Sequence, residues 1–272
     1  TLGPVLASLG LSFMDYELIS APTWRGLGNY AELLTRDRLF GLSLYNTVYY
    51  TLFSVPLGLM AAFLLALLLN VKLPGMNIYR TVFYLPAVTS GVAVSLLWVW
   101  LFNPQFGLIN HLLRSIGLPG PGWLVDEAWS KPAFILMSIW GVGGTAVIFL
   151  AGLQGVPRSL YEAAEIDGAN TWQRFRNVTV PMMTPVIFFN MIVGIIGSFQ
   201  VFTSAYVMTQ GGPRESTLFY VLYLFRQGFK LLRMGYAASM AWILFIIIII
   251  LTLIQLRLST RWVYYESELT EE

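Results

Sequence analysis

Residues 156–172 read VPRSLYEAAEIDGANTW and form a short charged segment within a largely uncharged part of the chain. The stretch before it, Pro132–Pro157, carries no charged residue, and neither does Asn177–Pro213 after it. Each uncharged stretch is long enough to cross the roughly 30 Å hydrocarbon core of a bilayer as a helix. The pattern therefore predicts two spanning helices joined by a short helical element at the membrane surface.

The composition indicates that lipid is the solvent for most of the chain. Of its 272 residues only 11% are charged, and the mean hydropathy is +0.68, whereas about a quarter of the residues in a soluble domain are charged. The absence of cysteine excludes disulfides and thiolate chemistry, and a single histidine, His111, excludes a site with several histidine ligands. The net charge of +2 does not indicate a nucleic-acid partner. We expect an all-α membrane protein with no metal or cofactor of its own.

Further uncharged runs extend the helical prediction along the chain. Backbone polar groups must pair within the protein inside a bilayer, and the almost continuously apolar run Trp242–Leu256 does not fit the alternating strands of a barrel. The first run is too short to cross alone and is interpreted as the outer part of a helix that begins before this sequence. We predict one transmembrane domain over residues 1–272, with about six helices at 1–14, 44–70, 81–102, 132–155, 183–208 and 235–257.

The loop between the fourth and fifth predicted helices, residues 156–180, has signals for two short helices. Ser159 is a candidate N-cap with Glu162 three residues later, which is the pattern of a capping box. Gly168 lies where a left-handed residue would end the first helix, and Thr171 is a candidate cap for the second. On these residues alone, an ordinary capped helix at the membrane surface explains the segment equally well.

The spacing in this loop resembles a known family motif. Glu162-Ala163-Ala164, Gly168, Val178 and Val180-Pro181 are spaced as in the EAA loop of binding-protein-dependent ABC importer permeases, which have isoleucine and leucine where this chain has Val178 and Val180. Other segments are similar to the carbohydrate branch of that family, and to its maltose-transporter F-type half in particular. They are WRGLGNY at 24–30, RTVFYLP at 80–86, GLIN at 107–110, TQGGP at 209–213 and GYAA at 235–238.

This resemblance implies a fold and a set of partners. The fold is the type I ABC importer transmembrane domain with a cytoplasmic EAA coupling helix, in a multi-pass protein of a bacterial or archaeal cytoplasmic (inner) membrane. The partners are a second homologous permease subunit, a cytoplasmic ATPase dimer that binds ATP with Mg²⁺, and an extracytoplasmic solute-binding protein. The chain has no G-x-x-x-x-G-K-[ST] loop, so ATP hydrolysis is expected in the partner and not in this chain. The residues implied to couple it to the ATPase are Glu162, Ala163, Ala164, Asp167 and Gly168.

Charge counting does not support the orientation that the motif implies. With a cytoplasmic N-terminus the positive-inside rule predicts more Lys and Arg in the inner segments, but seven lie inside and nine outside. The inner set is Lys72, Arg80, Arg158, Arg174, Arg176, Arg257 and Arg261; the outer set is Arg25, Arg36, Arg38, Arg114, Lys131, Arg214, Arg226, Lys230 and Arg233. The orientation therefore rests on the motif.

Small, polar and aromatic residues of the fourth and fifth helices are the candidates for a substrate path. Some fall where the maltose-type subunit lines its sugar site, although close helix packing also explains the glycines. An amide in mid-span can bond a hydroxyl group, and aromatic rings can stack on a sugar, although rings also serve as packing. The candidates are Trp140, Gly141, Gly144, Gly197, Ser198, Phe199, Gln200 and Val201.

The cargo and the energy source leave alternatives open. A phosphorylated cargo calls for Arg or Lys near the path, and the interiors of the predicted helices have none, which favours a neutral sugar or oligosaccharide over a glycerol phosphate ester. A secondary transporter or channel would show charges within spans or two repeated halves, and a membrane-embedded enzyme would need convergent His, Asp or Ser groups. We predict a subunit of an ATP-driven, binding-protein-dependent sugar importer that works by alternating access, with a secondary transporter or channel as the alternative.

Overall fold

The structure is a computed structural model that describes residues 2–71 and 73–264. Thr1, at the start of the predicted helix 1–14, and Lys72, one of the seven inner charges, lie outside the described residues. The predicted predominantly helical fold is confirmed. The helices are α1 (Leu2–Ser12), α2 (Gly28–Thr35), α3 (Arg38–Leu69), α4 (Met76–Val88), α5 (Gly91–Leu101), α6 (Leu108–Ser115), α7 (Glu127–Trp140), α8 (Gly143–Gly155), α9 (Arg158–Ile166), α10 (Thr171–Arg174), α11 (Val180–Phe199), α12 (Thr203–Met208), α13 (Tyr220–Phe225) and α14 (Met234–Ser259).

Three segments of the described chain are each long and apolar enough to cross a membrane. They are α3, Thr171–Met208 and α14. Two bent pairs pass the same test together, α4 with α5 at 98° and α7 with α8 at 46°, whereas α1 is apolar but shorter. Between 22% and 28% of the most apolar windows of the three long segments is buried. Most of their apolar surface thus faces outward, as in helices that contact lipid.

The sequence predicted continuous helices at 81–102, 132–155 and 183–208, and this is wrong because each of the three is interrupted in the structure. The first is interrupted at Thr89, whose extended ψ of 142° ends α4 three residues after Pro86. The second bends at Gly141-Val142, between α7 and α8. The third stops at Phe199 and resumes at Thr203. Apolar composition specifies that a segment enters lipid but not whether its helix is straight, which is why the sequence did not predict these breaks.

Two kinds of short feature were also not predicted, a pair of strands and two π-helical turns. Strands β1 (Met14–Asp15) and β2 (Thr23–Trp24) form a small antiparallel ladder after α1. The side chain of Asn29 fixes this loop, since its Nδ2 donates to the carbonyl oxygens of Ser12 and Met14 at 3.0 and 2.8 Å. Two π-helical turns, Phe175–Thr179 and Arg226–Lys230, follow α10 and α13.

The chain divides into two compact units. Unit 1 comprises Thr1–Leu52, Ser90–Ile135 and Ile196–Leu251, and unit 2 comprises Phe53–Thr89, Leu136–Ile195 and Thr252–Glu272. The single transmembrane domain and the count of six helices stay predictions.

The core of unit 2 joins α3, α8 and α11. Ala62 and Ala66, one turn apart on α3, are fully buried with Phe149 of α8 and Met183 of α11. Small side chains at this spacing let two helices approach closely, because little stands between their backbones.

Gly143 brings the backbones of α4 and α8 together. A Cβ atom at this position would overlap the carbonyl group of Phe83, so only glycine fits. The contact fixes the start of α8 against α4.

Candidate coupling loop and translocation path

Helix α9 begins two residues earlier than the sequence suggested. Pro157 is extended at its start, with φ −60° and ψ 132°, and no side chain caps the helix. Ser159 therefore lies inside the first turn, where its own backbone is already helical. The predicted capping box of Ser159 and Glu162 is wrong because Pro157, with its fixed φ and no N–H, sets the helix boundary.

The predicted end of α9 at Gly168 is confirmed. Gly168 has φ +75°, and its N–H donates to the carbonyl oxygen of Glu165 at 3.0 Å. The N–H of Ala169 donates to the carbonyl oxygen of Ala164 at 2.9 Å. These two bonds are a Schellman motif, which needs a left-handed residue at position 168.

The second short helix is capped by Asn170 and not by Thr171. The Asn170 side chain accepts from the N–H of Gln173 at 2.9 Å, and the Gln173 side chain accepts from the N–H of Asn170 at 2.7 Å. This reciprocal pair is a capping box, shifted by one residue from the predicted cap. Helix α10 and the π-helical turn after it lead without interruption into α11.

Residues 158–179, here named the coupling hairpin, are braced from within. The hydroxyl groups of Tyr161 and Thr179 lie 3.0 Å apart, and Arg174 donates to Glu165 in an ion pair. The ring of Phe175 packs against Phe63 of α3 with centroids 6.2 Å apart. Contacts across the hairpin and onto α3 hold α9 in a defined position.

The outward surface of the coupling hairpin is apolar as well as charged. No residue of α9 is buried, and Ile166 is 87% exposed. Trp172 is 66% exposed on the second helix. Of the residues predicted to couple to the ATPase, Glu162, Ala163, Asp167 and Gly168 are exposed and Ala164 is half-buried.

Three predicted path residues belong to unit 2 and surround the bend between α7 and α8. Trp140 and Gly141 are exposed, and Gly141 closes α7 by donating to the carbonyl oxygen of Ser138 at 3.2 Å. Gly144 lies in the first turn of α8, where a Cβ would make ordinary contact with Ala87 at 3.5 Å. Their role in a substrate path stays a prediction.

The other predicted path residues belong to unit 1 and surround the break after α11. Gly197 is exposed, and apart from its chain neighbours and its own helix backbone no described residue lies within 4 Å of where its Cβ would be. Close packing among the described residues therefore does not explain this glycine. Gln200 is exposed in the break and Val201 is half-buried. Ser198 and Phe199 are 8% and 3% exposed, and the Ser198 hydroxyl donates to Thr51 at 2.9 Å. In this conformation these two side chains are part of the protein interior.

Comparison with known proteins shows the family. The family model of the binding-protein-dependent transport system inner membrane component matches residues 54–264. The chain belongs to this family. It is the transmembrane permease subunit of an ABC importer, a multi-pass protein of the inner membrane.

Curated relatives and a solved structure agree with this assignment. The chain is 44% identical to the probable ABC transporter permease protein YesP of Bacillus subtilis (strain 168), over 98% of this chain and 88% of that protein. It is 38% identical to the lactose transport system permease protein LacF of Rhizobium radiobacter, over 93% and 87%. A bacterial alginate ABC transporter, crystallised with its alginate pentasaccharide-bound periplasmic protein, has a chain with the same fold, with a TM-score of 0.83 at 24% identity over 96% of this chain and 88% of that chain.

A charged side chain that the sequence analysis counted in an outer loop, Lys131, lies within a helix of the permease. Helix α7 begins at Glu127 and not at 132, so Lys131 lies in its second turn. The Lys131 ammonium donates to Asn46 Oδ1 at 3.1 Å and lies 5.5 and 5.4 Å from the ring centroids of Tyr45 and Tyr49. Asn46 is fully buried, and its Nδ2 donates to the carbonyl oxygens of Glu215 and Leu218. Such a pairing between α3 and α7 was beyond sequence reasoning, because it depends on which helices are neighbours.

An apolar cavity of about 560 Å³ lies within unit 2, beside α4 and the bend between α7 and α8. Its walls are Leu65, Val82, Phe83, Leu85, Pro86, Thr89, Ile139, Trp140, Val142 and Gly143. Thr89 is the only residue of this lining with a polar side chain besides the Trp140 indole. A sugar needs hydrogen-bonding partners, so this cavity does not suit a sugar.

A polar cluster in unit 1 joins α2, the start of α3, α13 and the start of α14. It is here named the outer cluster and consists of Arg25, Glu32, Arg36, Asp37, Tyr223, Arg233 and Tyr236. Glu32 accepts from Arg25 Nη2 and from Arg233 Nη2, both at 2.8 Å. Asp37 Oδ2 accepts from the hydroxyls of Tyr223 and Tyr236 at 2.6 and 2.5 Å. Arg233, with its neighbour Arg25, holds the pKa of Glu32 below its usual value against the opposing effect of burial. Glu32 is therefore a carboxylate at neutral pH.

Proposed function

We propose that the coupling hairpin of this permease docks on a separate cytoplasmic ATPase dimer, which hydrolyses ATP with Mg²⁺ and thereby drives alternating access. The observation that supports this most is the combination of exposure and bracing in α9. A surface with Ile166 87% exposed beside Glu162 and Asp167 is suited to an interface, because apolar area is available for burial with charges around it.

The bracing would transmit force from the ATPase into the membrane. Tyr161 links α9 to the π-helical turn that runs into α11, and Phe175 packs on Phe63 of α3. A displacement of α9 therefore moves the inner ends of α11 and α3 with it. Such rigid-body movement is how a packed helical unit converts a local push into a change of state.

The proposed cargo is a sugar or oligosaccharide. The name of the relative LacF specifies lactose, and this chain matches it over most of its length. Gln200, exposed at the break after α11, is the strongest candidate for a hydrogen bond to a sugar hydroxyl, and Gly197 next to it leaves open space. Trp140, Gly141, Gly144 and Val201 are the other proposed path residues.

The proposed assembly has two permease subunits, the ATPase dimer and an extracytoplasmic solute-binding protein. This chain supplies one permease half, and a homologous subunit supplies the other. The family description names the dependence on a binding protein, and the exposed hairpin provides the surface for the ATPase.

The charge reversal Glu162→Lys tests the proposal in the reconstituted importer. We expect binding-protein-stimulated ATP hydrolysis and uptake to fall roughly tenfold or more, since a like charge facing a complementary surface costs several kcal/mol. Glu215→Lys is the matched control, because Glu215 is exposed, lies outside the hairpin and is separated from α9 by one predicted crossing. Retention of both stimulated hydrolysis and uptake in Glu162→Lys would refute the docking assignment.

A further inference from the structure

The outer cluster borders a cavity of about 400 Å³ that no transport step described above uses. Its walls are Glu32, Arg36, Asp37, Tyr223, Arg233 and Tyr236, all within unit 1. Unlike the cavity beside α4, this one has two guanidinium groups, two carboxylates and two phenols in its lining. Helix α2 and the coupling hairpin are separated by α3 and the two bent pairs, which are three crossings if each pair crosses once. The cavity then faces the side of the membrane opposite the ATPase.

The acceptors in this cavity are largely occupied by the protein itself. Asp37 Oδ1 accepts the N–H groups of Leu39 and Phe40 at 2.9 and 3.0 Å, and its Oδ2 accepts the two tyrosine hydroxyls. A carboxylate has about four lone-pair sites, so Asp37 has none to offer. Each oxygen of Glu32 already accepts from one guanidinium group.

The donors, in contrast, are in excess. Arg36 is exposed, and its guanidinium group has no acceptor within the part of the chain that the structure describes. Arg233 uses Nη2 for Glu32, and its guanidinium carbon lies 4.2 Å from the centroid of the Tyr236 ring. Its guanidinium Nε and Nη1 have no acceptor among the described residues. Each guanidinium group carries five N–H donors.

The charges of the lining balance, so the unused donors decide which ligand fits the cavity. Within the lining two guanidinium groups face two carboxylates, while Arg25 pairs with Glu32 from outside the lining and Asp15 attracts Arg233. A ligand that complements the unused guanidinium donors is rich in acceptors, and a negative charge on it strengthens the hydrogen bonds that it accepts. A carboxylate meets both conditions, and its planar pair of oxygens matches the fork of a guanidinium group.

We propose that Arg36 and Arg233 form a carboxylate-binding site on the outer face of this permease. The assignment of the site to the outer face rests on the proposed function, whereas its preference for a carboxylate does not. A carboxylate can reach this face on an acidic sugar released for transport or on an acidic side chain of the solute-binding protein. Both sources present the same chemistry to the two guanidinium groups.

Calorimetric titration of the purified importer in lipid nanodiscs, with galacturonate and with galactose, tests the first source. We expect galacturonate to bind and galactose, which lacks the carboxylate, to bind at least about tenfold more weakly, since a charge-assisted pair contributes enough for such a factor. Arg36→Gln should remove most of this preference. Arg38→Gln is the matched control, because Arg38 is exposed two residues away and does not line the cavity.

Glu32→Gln provides a test of opposite sign that a loss of folding could not imitate. The substitution removes the carboxylate that competes with the ligand for Arg233. Galacturonate should therefore bind more tightly to this variant than to the unaltered permease. If galacturonate and galactose bind with equal affinity, the second source is tested by measuring the affinity of the importer for its own solute-binding protein. If Arg36→Gln lowers this affinity about tenfold and Arg38→Gln leaves it unchanged, the carboxylate belongs to the solute-binding protein.

The proposal is overturned if Arg36→Gln matches Arg38→Gln in both measurements. It is also overturned if Glu32→Gln weakens galacturonate binding while the complex stays intact. Neither measurement requires ATP hydrolysis, so a failure here is distinguishable from a failure of the coupling proposal, which affects hydrolysis and uptake.

Discussion

The coupling hairpin and the outer cluster are both polar, but they are built from contacts of very different range. In the hairpin, Asn170 pairs with Gln173 three residues away, and Gly168 closes a helix that starts ten residues before it. In the outer cluster, Asp37 contacts Tyr223 and Tyr236, which are 186 and 199 residues away. One region is specified locally, whereas the other exists only when the helices of unit 1 have assembled.

This difference in range matches a difference in exposure. None of the residues of α9 is buried, so the surface of the hairpin is available to the partner proposed above. The outer cluster pairs its own carboxylates and leaves mainly guanidinium donors unused. Loss of a hairpin residue should therefore affect coupling more than folding, and loss of an outer-cluster carboxylate should affect folding first.

The largest expected effect comes from Asp37→Ala. It removes the acceptor for two phenols and for two N–H groups at the start of α3, and we expect a loss of about 3 to 5 kcal/mol in stability. Unfolding in detergent, followed by circular dichroism, measures this loss. Asp126→Ala is the control, because the Asp126 side chain accepts one N–H, that of Ala128, and caps only α7. Equal losses in the two variants would show that the long-range contacts of Asp37 add nothing.

Gly168→Ala should have an intermediate effect that stays within the hairpin. Nothing lies within 4 Å of the added Cβ, so the expected cost of about 1 to 2 kcal/mol comes from the left-handed backbone alone. Hydrogen exchange of the α9 amides should accelerate while exchange in α14 stays unchanged. Gly155→Ala is the matched control, because its surroundings are equally open and its φ is not positive, and it should show no acceleration.

The smallest expected effect separates Asn170 from the two residues that the sequence suggested as caps. Asn170→Ala should lower stability by about 1 kcal/mol, as losses of N-caps do. Ser159→Ala and Thr171→Ala should change it by less than half of that, since neither side chain caps a helix. Hydrogen exchange of the Gln173 and Arg174 amides distinguishes the three variants. A larger loss of stability in Ser159→Ala than in Asn170→Ala would mean that Ser159 does cap α9, which contradicts the structure.

The sequence predicted those parts of the permease that depend on neighbours along the chain. The uncharged runs located the membrane segments, and Gly168 marked the end of α9. The cap at Asn170 was missed by one residue because Asn and Thr are both good caps, and Pro157 shifted the start of α9 because proline sets the boundary. These are errors of one or two residues within a correct local pattern.

Features that depend on which helices are neighbours were not predictable from one sequence. Lys131 was counted as a loop charge, yet it lies in α7 and is bonded to Asn46 of α3. The bend at Thr89 and the carboxylate-guanidinium arrangement around Glu32 gave no local signal either. The preference for a neutral cargo rests on the absence of charges within the predicted spans, and it stays a prediction.

The span of the chain between Asp37 and its tyrosine partners has a consequence for synthesis. At about 5 to 20 residues per second, roughly 10 to 40 s pass between the emergence of Asp37 from the ribosome and that of Tyr223 and Tyr236. During that time the carboxylate can cap α3 but has no phenol to accept from. The start of α3 is thus fixed early by its own backbone, and its attachment to α13 and α14 is completed only as the last helix enters the membrane.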